Sequence, residues 1–175
     1  MNNNPNCVAD GTYGAANVVI KNRDPRGTDY HIMYNNKFEA DGYLVAWQYY
    51  IGQKNNPCHT YAAVWETVEI NQYRLLDETL LQPRETASGG VRYQYITDKV
   101  VRVTTDDTPS MFVREPTPEG CTGSVISFNN DGVEVYRDRR GKMTNIHVND
   151  TLNVQATERR GVSLRPFIAG EFMRN

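Results

Sequence analysis

No stretch of this 175-residue chain approaches the roughly 20 apolar residues that a membrane-crossing helix needs, so no membrane span is expected. The N-terminus, Met1-Asn2-Asn3-Asn4-Pro5, lacks the basic and apolar segments of a secretory signal. Either the protein is intracellular or the chain is a module excised from a longer one. A basic excess is missing as well: 19 Lys and Arg stand against 21 Asp and Glu, a net charge of −2. That removes the general electrostatic case for a nucleic-acid partner. Gly89-Gly90 is the nearest approach to a phosphate-binding loop, and no Lys-Ser/Thr follows it. No nucleotide cofactor is expected.

Cysteine is scarce. Cys7, Cys58 and Cys121 have none of the close paired spacing of a structural zinc site. One disulfide is expected, with Cys58–Cys121 favoured because both sit in Gly/Pro/Asn-rich turns between candidate strands, while Cys7 pairs outside this segment or stays free. In an oxidising compartment, such as an extracellular or cell-surface location, the odd count leaves one thiol over, while in a reducing one all three could be free. Asn149-Asp150-Thr151 is a candidate glycosylation acceptor at Asn149.

What the chain does contain is strand grammar. Gly42-Tyr43-Leu44-Val45-Ala46-Trp47-Gln48-Tyr49-Tyr50 and Thr60-Tyr61-Ala62-Ala63-Val64-Trp65-Glu66 are rich in aromatic and β-branched residues and bounded by turn formers. Further short candidates recur about every ten residues from Asn17 to Ile168, a rhythm that implies a sandwich or barrel. Eleven Tyr against five Phe and two Trp suit sheets with one wet and one dry face. The expected organisation is a flexible lead-in over residues 1–15 and one all-β domain over 16–175, an antiparallel β-sandwich of jelly-roll type.

Period-two alternation is clearest at Val91-Arg92-Tyr93-Gln94-Tyr95, Val101-Arg102-Val103 and Val133-Glu134-Val135-Tyr136, where one face should be dry. Residues 42–50 carry little charge on either face and read as a central strand covered on both. Asn130-Asp131-Gly132 has the residues of a tight hairpin turn. Residues 84–90 read as a mobile loop. Asn71 to Leu81 is the one segment with an alternative helical reading, from its Leu spacing.

At Gly42, Trp47, Tyr49, Tyr50, Val64, Trp65, Tyr73, Leu75, Leu76, Val101 and Val103 the chain resembles jelly-roll modules of secreted and surface proteins of invertebrates. The likeness covers residues 16–170, closing at Ser163-Leu164-Arg165-Pro166-Phe167. Those modules usually carry Gly-Asp after the Val-x-Val strand, where this chain has Thr104-Thr105-Asp106-Asp107. The resemblance implies extracellular recognition or adhesion and carries over no catalytic residue.

Candidate chemistry is sparse. His31 and His147 lie in strand-like segments, and Cys58 and His59 point to opposite faces if extended, which prevents a thiolate–imidazole pair. The carboxylate neighbours Asp77-Glu78 and Asp106-Asp107 read as turn residues. Asp106, Asp107 and Asp131, with nearby amides, could hold calcium as the one cofactor in view, although Asn-Asp-Gly suits a turn without any ion. Arg137, Arg139, Arg140 and Lys142, with Arg159 and Arg160, read as two hairpin tips that could together meet a polyanion. Trp47 and Trp65 are expected in the core rather than on a sugar-stacking surface. The resulting expectation is a non-enzymatic recognition or adhesion module whose loops bind a protein or glycan. Alternatives are a carbohydrate-binding module, a trimeric jelly roll of the tumour-necrosis-factor and complement kind, which makes the chain a homo-oligomer, and a β-sandwich hydrolase.

Overall fold

The computed structural model describes residues 7–9, 30–51, 57–81, 90–114, 119, 121, 126, 128–138, 146–155 and 157–170, with the backbone alone for 7–9, 128–133, 138, 158 and 160. Among these the regular structure is all β, in twelve strands: β1 Cys7–Ala9, β2 Tyr30–Ile32, β3 Gly42–Ile51, β4 Thr60–Glu69, β5 Gln72–Leu81, β6 Gly90–Tyr95, β7 Val101–Val103, β8 Thr108–Val113, β9 Phe128–Asp138, β10 Thr151–Asn153, β11 Thr157–Val162 and β12 Leu164–Ala169. They pair antiparallel in two sheets. One runs β1-β12-β3-β6, with β7 also on β3; the other runs β10-β5-β4-β8-β2-β9-β11. This is the antiparallel β-sandwich that the strand rhythm implies.

Alternation along the strands builds the core between the sheets. The five-stranded sheet sends in Leu44, Trp47, Tyr49, Ile51, Val101, Val103, Leu164 and Ile168, and the seven-stranded sheet answers with Ala62, Val64, Leu81, Met111, Val135 and Val162. Burying each large apolar side chain contributes roughly 1.5–3 kcal/mol. A second cluster lies on the opposite face of the seven-stranded sheet, where Tyr30, Ile32, Trp65, Tyr73, Leu75 and Phe112 meet Leu152 and Val154. The strands covered on both faces are therefore β2 and β8, buried at every position, and not β3. β3 is central in its sheet, yet Tyr43 is exposed and Gln48 and Tyr50 are half-buried.

An extra residue in β3 sets its inward side. Ile168 pairs with Leu44 and Phe167 with Ala46, so Val45 has no partner on β12. Such a bulge shifts the side-chain parity: Leu44 points inward before it, and Trp47, Tyr49 and Ile51 do so after it. Gly42 has a different role. A Cβ there would lie 2.3 Å from the Ala169 carbonyl oxygen and 2.6 Å from Ile168 Cγ2, so only glycine permits β12 to approach this closely.

Several local readings are corrected. β5 occupies Asn71–Leu81 apart from its first residue, and β4 and β5 form a hairpin whose turn uses Asn71 at φ 62°; asparagine tolerates that left-handed backbone. The helical alternative fails because Leu75 and Leu81 alternate into separate clusters across a bulge between Asp77 and Leu75. Asn130-Asp131-Gly132 is not a hairpin turn. It lies within β9, where pairing with β11 jumps from Val133↔Arg160 to Asn129↔Gly161 and leaves residues 130–132 as an insertion. The residues of 84–89 and 17–21 lie outside the described residues. Cys58 and Cys121 are bonded, Cα to Cα 4.9 Å, across a separation of 63 residues.

Candidate functional site: an aromatic sheet face

The pairing of β6 with β3 decides which side of β6 meets solvent. Trp47, Tyr49 and Ile51 are committed to the core, and their partners on β6 are Gln94, Arg92 and Gly90. Val91, Tyr93 and Tyr95 consequently sit opposite Tyr50, Gln48 and Ala46 on the outer face. The alternation in Val91-Arg92-Tyr93-Gln94-Tyr95 is real but its sense is inverted. Its apolar members are exposed, Tyr93 at 48% and Tyr95 at 64%, while Arg92 and Gln94 are half-buried. A one-residue change of register would reverse this.

The outward rings continue across the sheet to half-buried Phe167. Ala46 is flanked by Tyr95 on β6 and Phe167 on β12. Tyr93 stacks with Tyr95 at 6.3 Å between centroids and 21° between planes, and lies 6.0 Å from Phe167. Gln48 Nε2 donates to the Tyr93 hydroxyl at 2.5 Å, and the Arg165 guanidinium stands 5.5 Å from the Phe167 ring. The result is a shelf of three rings bordered by an amide and a guanidinium. Aromatic surface of this extent is costly to leave in water.

The residues singled out in the sequence lie elsewhere. Arg137 is no surface cation: it pairs with His31 in the ladder between β9 and β2 and is 6% exposed. Arg159 and Arg160 belong to strand β11 rather than to a hairpin tip, and exposed Arg159 sits opposite Glu134. Arg139, Arg140 and Lys142 fall outside the described residues. Glu134 accepts from the hydroxyls of Tyr34 and Thr157, and the Tyr34 bond above all holds its carboxyl below the usual range. Nearby, burial pushes the Tyr73 hydroxyl up to about 12.

The calcium candidates lie in two different segments. Asp131 lies in β9, Asp106 has a side chain 91% exposed and 3.9 Å from Lys37, and Asp107 is buried. Asp107 Oδ2 accepts from the Thr104 backbone N–H at 2.8 Å and from its hydroxyl at 3.2 Å, closing the turn before β8. No group of three acidic, histidine or cysteine side chains suited to a metal occurs among the described residues. Asp77 and Glu78 diverge, as strand neighbours must. Asp77 pairs with Lys99 and Glu78 with Arg114. Buried Cys58 and exposed His59 likewise point apart. Asn149 sits in an exposed turn at φ 79°, and Trp47 and Trp65 are fully buried as expected.

Burial raises the carboxyl pKa of Asp107, only partly opposed by the bonds from Thr104. A pKa raised by folding stabilises the protein below about 4, where the unfolded carboxyl is also protonated. That contribution is lost as pH climbs through the higher folded value. Asp107→Asn keeps the acceptor for Thr104 and removes the charge. Its stability relative to the natural chain should therefore improve between pH 3.5 and pH 7 in denaturant titrations; an unchanged difference at the two pH values rules this out.

No known protein family matches the chain, and neither does any curated protein or solved structure.

Proposed function

We propose that this protein is a non-enzymatic recognition module that binds glycan on the outer face of its five-stranded sheet. The observation supporting this is the outward Tyr93–Tyr95–Phe167 shelf. Planar rings match the apolar faces of pyranose sugars, and the Gln48 amide and Arg165 beside them match sugar hydroxyls and other oxygens. A strand scaffold fixes the rings before binding, so little ordering entropy opposes it. The described side chains on the shelf include no acid, histidine or thiol, which favours holding a ligand over breaking bonds in it. The Cys58–Cys121 disulfide fits an oxidising compartment, and the likeness to invertebrate jelly-roll modules points to the same extracellular role. The surface that binds is a sheet face rather than the variable loops.

The test is affinity electrophoresis of the full chain through neutral and acidic polysaccharides. Retardation is expected in at least one gel, with Tyr93→Ala/Tyr95→Ala losing it by 10-fold or more in affinity while melting within a few degrees of the natural chain. Equal retardation of the double variant contradicts the sheet-face reading. Sedimentation as a trimer that the same two substitutions dissolve would instead assign the shelf to self-association.

A further inference from the structure

The shelf carries charge of one sign. Across β3, β6, β7 and β12 the charged side chains on the outer face, among the described residues, are Arg102, opposite Tyr43, and Arg165, opposite Gln48. Among the described residues of these strands no Asp or Glu shares that face, although acidic residues outnumber basic ones in the chain as a whole.

Arg165 is the more informative of the two. Its Nε is buried and donates to no acceptor, while the guanidinium leans on the Phe167 ring. Desolvation of a guanidinium donor is costly when nothing accepts from it. Arginine offers its donors in a planar fork that suits two oxygens of one carboxylate or sulfate, and ring contact holds that fork in place. The rings of Tyr93 and Tyr95 lie alongside, ready for the apolar face of the residue that bears the anion.

Resting on the glycan reading above, we infer that the ligand is an acidic saccharide, whose carboxylate or sulfate is taken by Arg165 while its ring stacks on the tyrosine shelf. Neither group suffices alone. The anion provides the charge-assisted bonds and the sugar face provides the stacking area, so an acidic polymer without sugar rings and a neutral sugar should both bind weakly. Carboxylate and sulfate share the chemistry that the fork recognises.

The experiment is calorimetric titration of the full chain with polygalacturonate, its fully methyl-esterified form, dextran sulfate, dextran and polyglutamate. Expected is binding to polygalacturonate, dextran sulfate or both at least 10-fold tighter than to the matching neutral polymer and to polyglutamate. Arg165→Gln should remove that preference by weakening the acidic polymer at least 10-fold, whereas Arg165→Lys should restore part of it. Binding to whichever acidic polymer is preferred should weaken with salt in the natural chain and hardly at all in Arg165→Gln. Equal affinity for acidic and neutral sugars, or no effect of Arg165→Gln, overturns the inference but leaves the glycan reading standing. Polyglutamate binding as tightly as the acidic sugars also overturns it. Failure of every saccharide overturns the glycan reading itself.

Discussion

Replacing Cys58 and Cys121 together by serine is expected to lower the stability of this domain by roughly 4 kcal/mol, the loop-closure value for a chain tied across about 60 residues. The bond joins the segment entering β4 to the segment leaving β8, two strands that are neighbours in the seven-stranded sheet. Without it, the unfolded chain regains the freedom of the whole intervening stretch, while the folded sheet retains its ladder. For a domain of this size the melting temperature should fall by roughly 10 °C. Differential scanning calorimetry of the natural chain with and without reductant, beside the double serine variant, measures this. A shift under 2 °C for both would mean that the sheet pairing alone already restrains the loop.

Trp47→Ala should cost as much, about 3–5 kcal/mol, because the largest side chain of the inter-sheet core is removed from a site with no exposure. The two tryptophans differ in a way that separates ring packing from hydrogen bonding. Trp65 Nε1 donates to Ser110 Oγ at 2.6 Å, both atoms buried. Trp47 Nε1 is buried without an acceptor. Replacement by phenylalanine thus strands the Ser110 hydroxyl in one case and removes an unsatisfied donor in the other. Trp65→Phe is expected to lose about 1–3 kcal/mol beyond its volume change, and Trp47→Phe little beyond volume. Denaturant midpoints of the three variants give the comparison, and equal costs for the two phenylalanine variants would contradict it. Since domains are stable by only about 5–15 kcal/mol, either the serine pair or Trp47→Ala brings the fold near its limit.

Much of this architecture can be read from residue order. The strands around Trp47, Trp65, Val101 and Val135 appear where aromatic and β-branched runs place them, and both tryptophans are buried because their neighbours alternate about them. The disulfide follows from two turn cysteines flanking paired strands. Register is harder to read. The bulge at Val45 moves side chains from one face to the other and the insertion at 130–132 shifts the pairing of β9, and neither has a local signal stronger than the turn that Asn-Asp-Gly suggests. The same difficulty hid the shelf. Alternation in β6 shows that Val91, Tyr93 and Tyr95 share a face, but which face is wet depends on Tyr49 pairing with Arg92, a contact 43 residues away in sequence. Arg137 was hard to place for a related reason: β9 extends through Asp138, so Arg137 lies in a ladder and not at a tip.

The most direct test of a binding surface on the sheet face is a nuclear magnetic resonance titration of the full chain with uniform amide labelling and ring-labelled tyrosine, using oligogalacturonate as the probe and neutral xylo-oligosaccharide as comparator. The expected result is movement of the Tyr93 and Tyr95 ring signals and of the Gln48 side-chain amide, with Tyr34, Tyr73 and Tyr136 on the opposite sheet unmoved. Shifts confined to signals from residues 139–142 and 147–150, with the Tyr93 and Tyr95 rings unchanged at saturation, would return recognition to the loops and contradict the sheet-face reading.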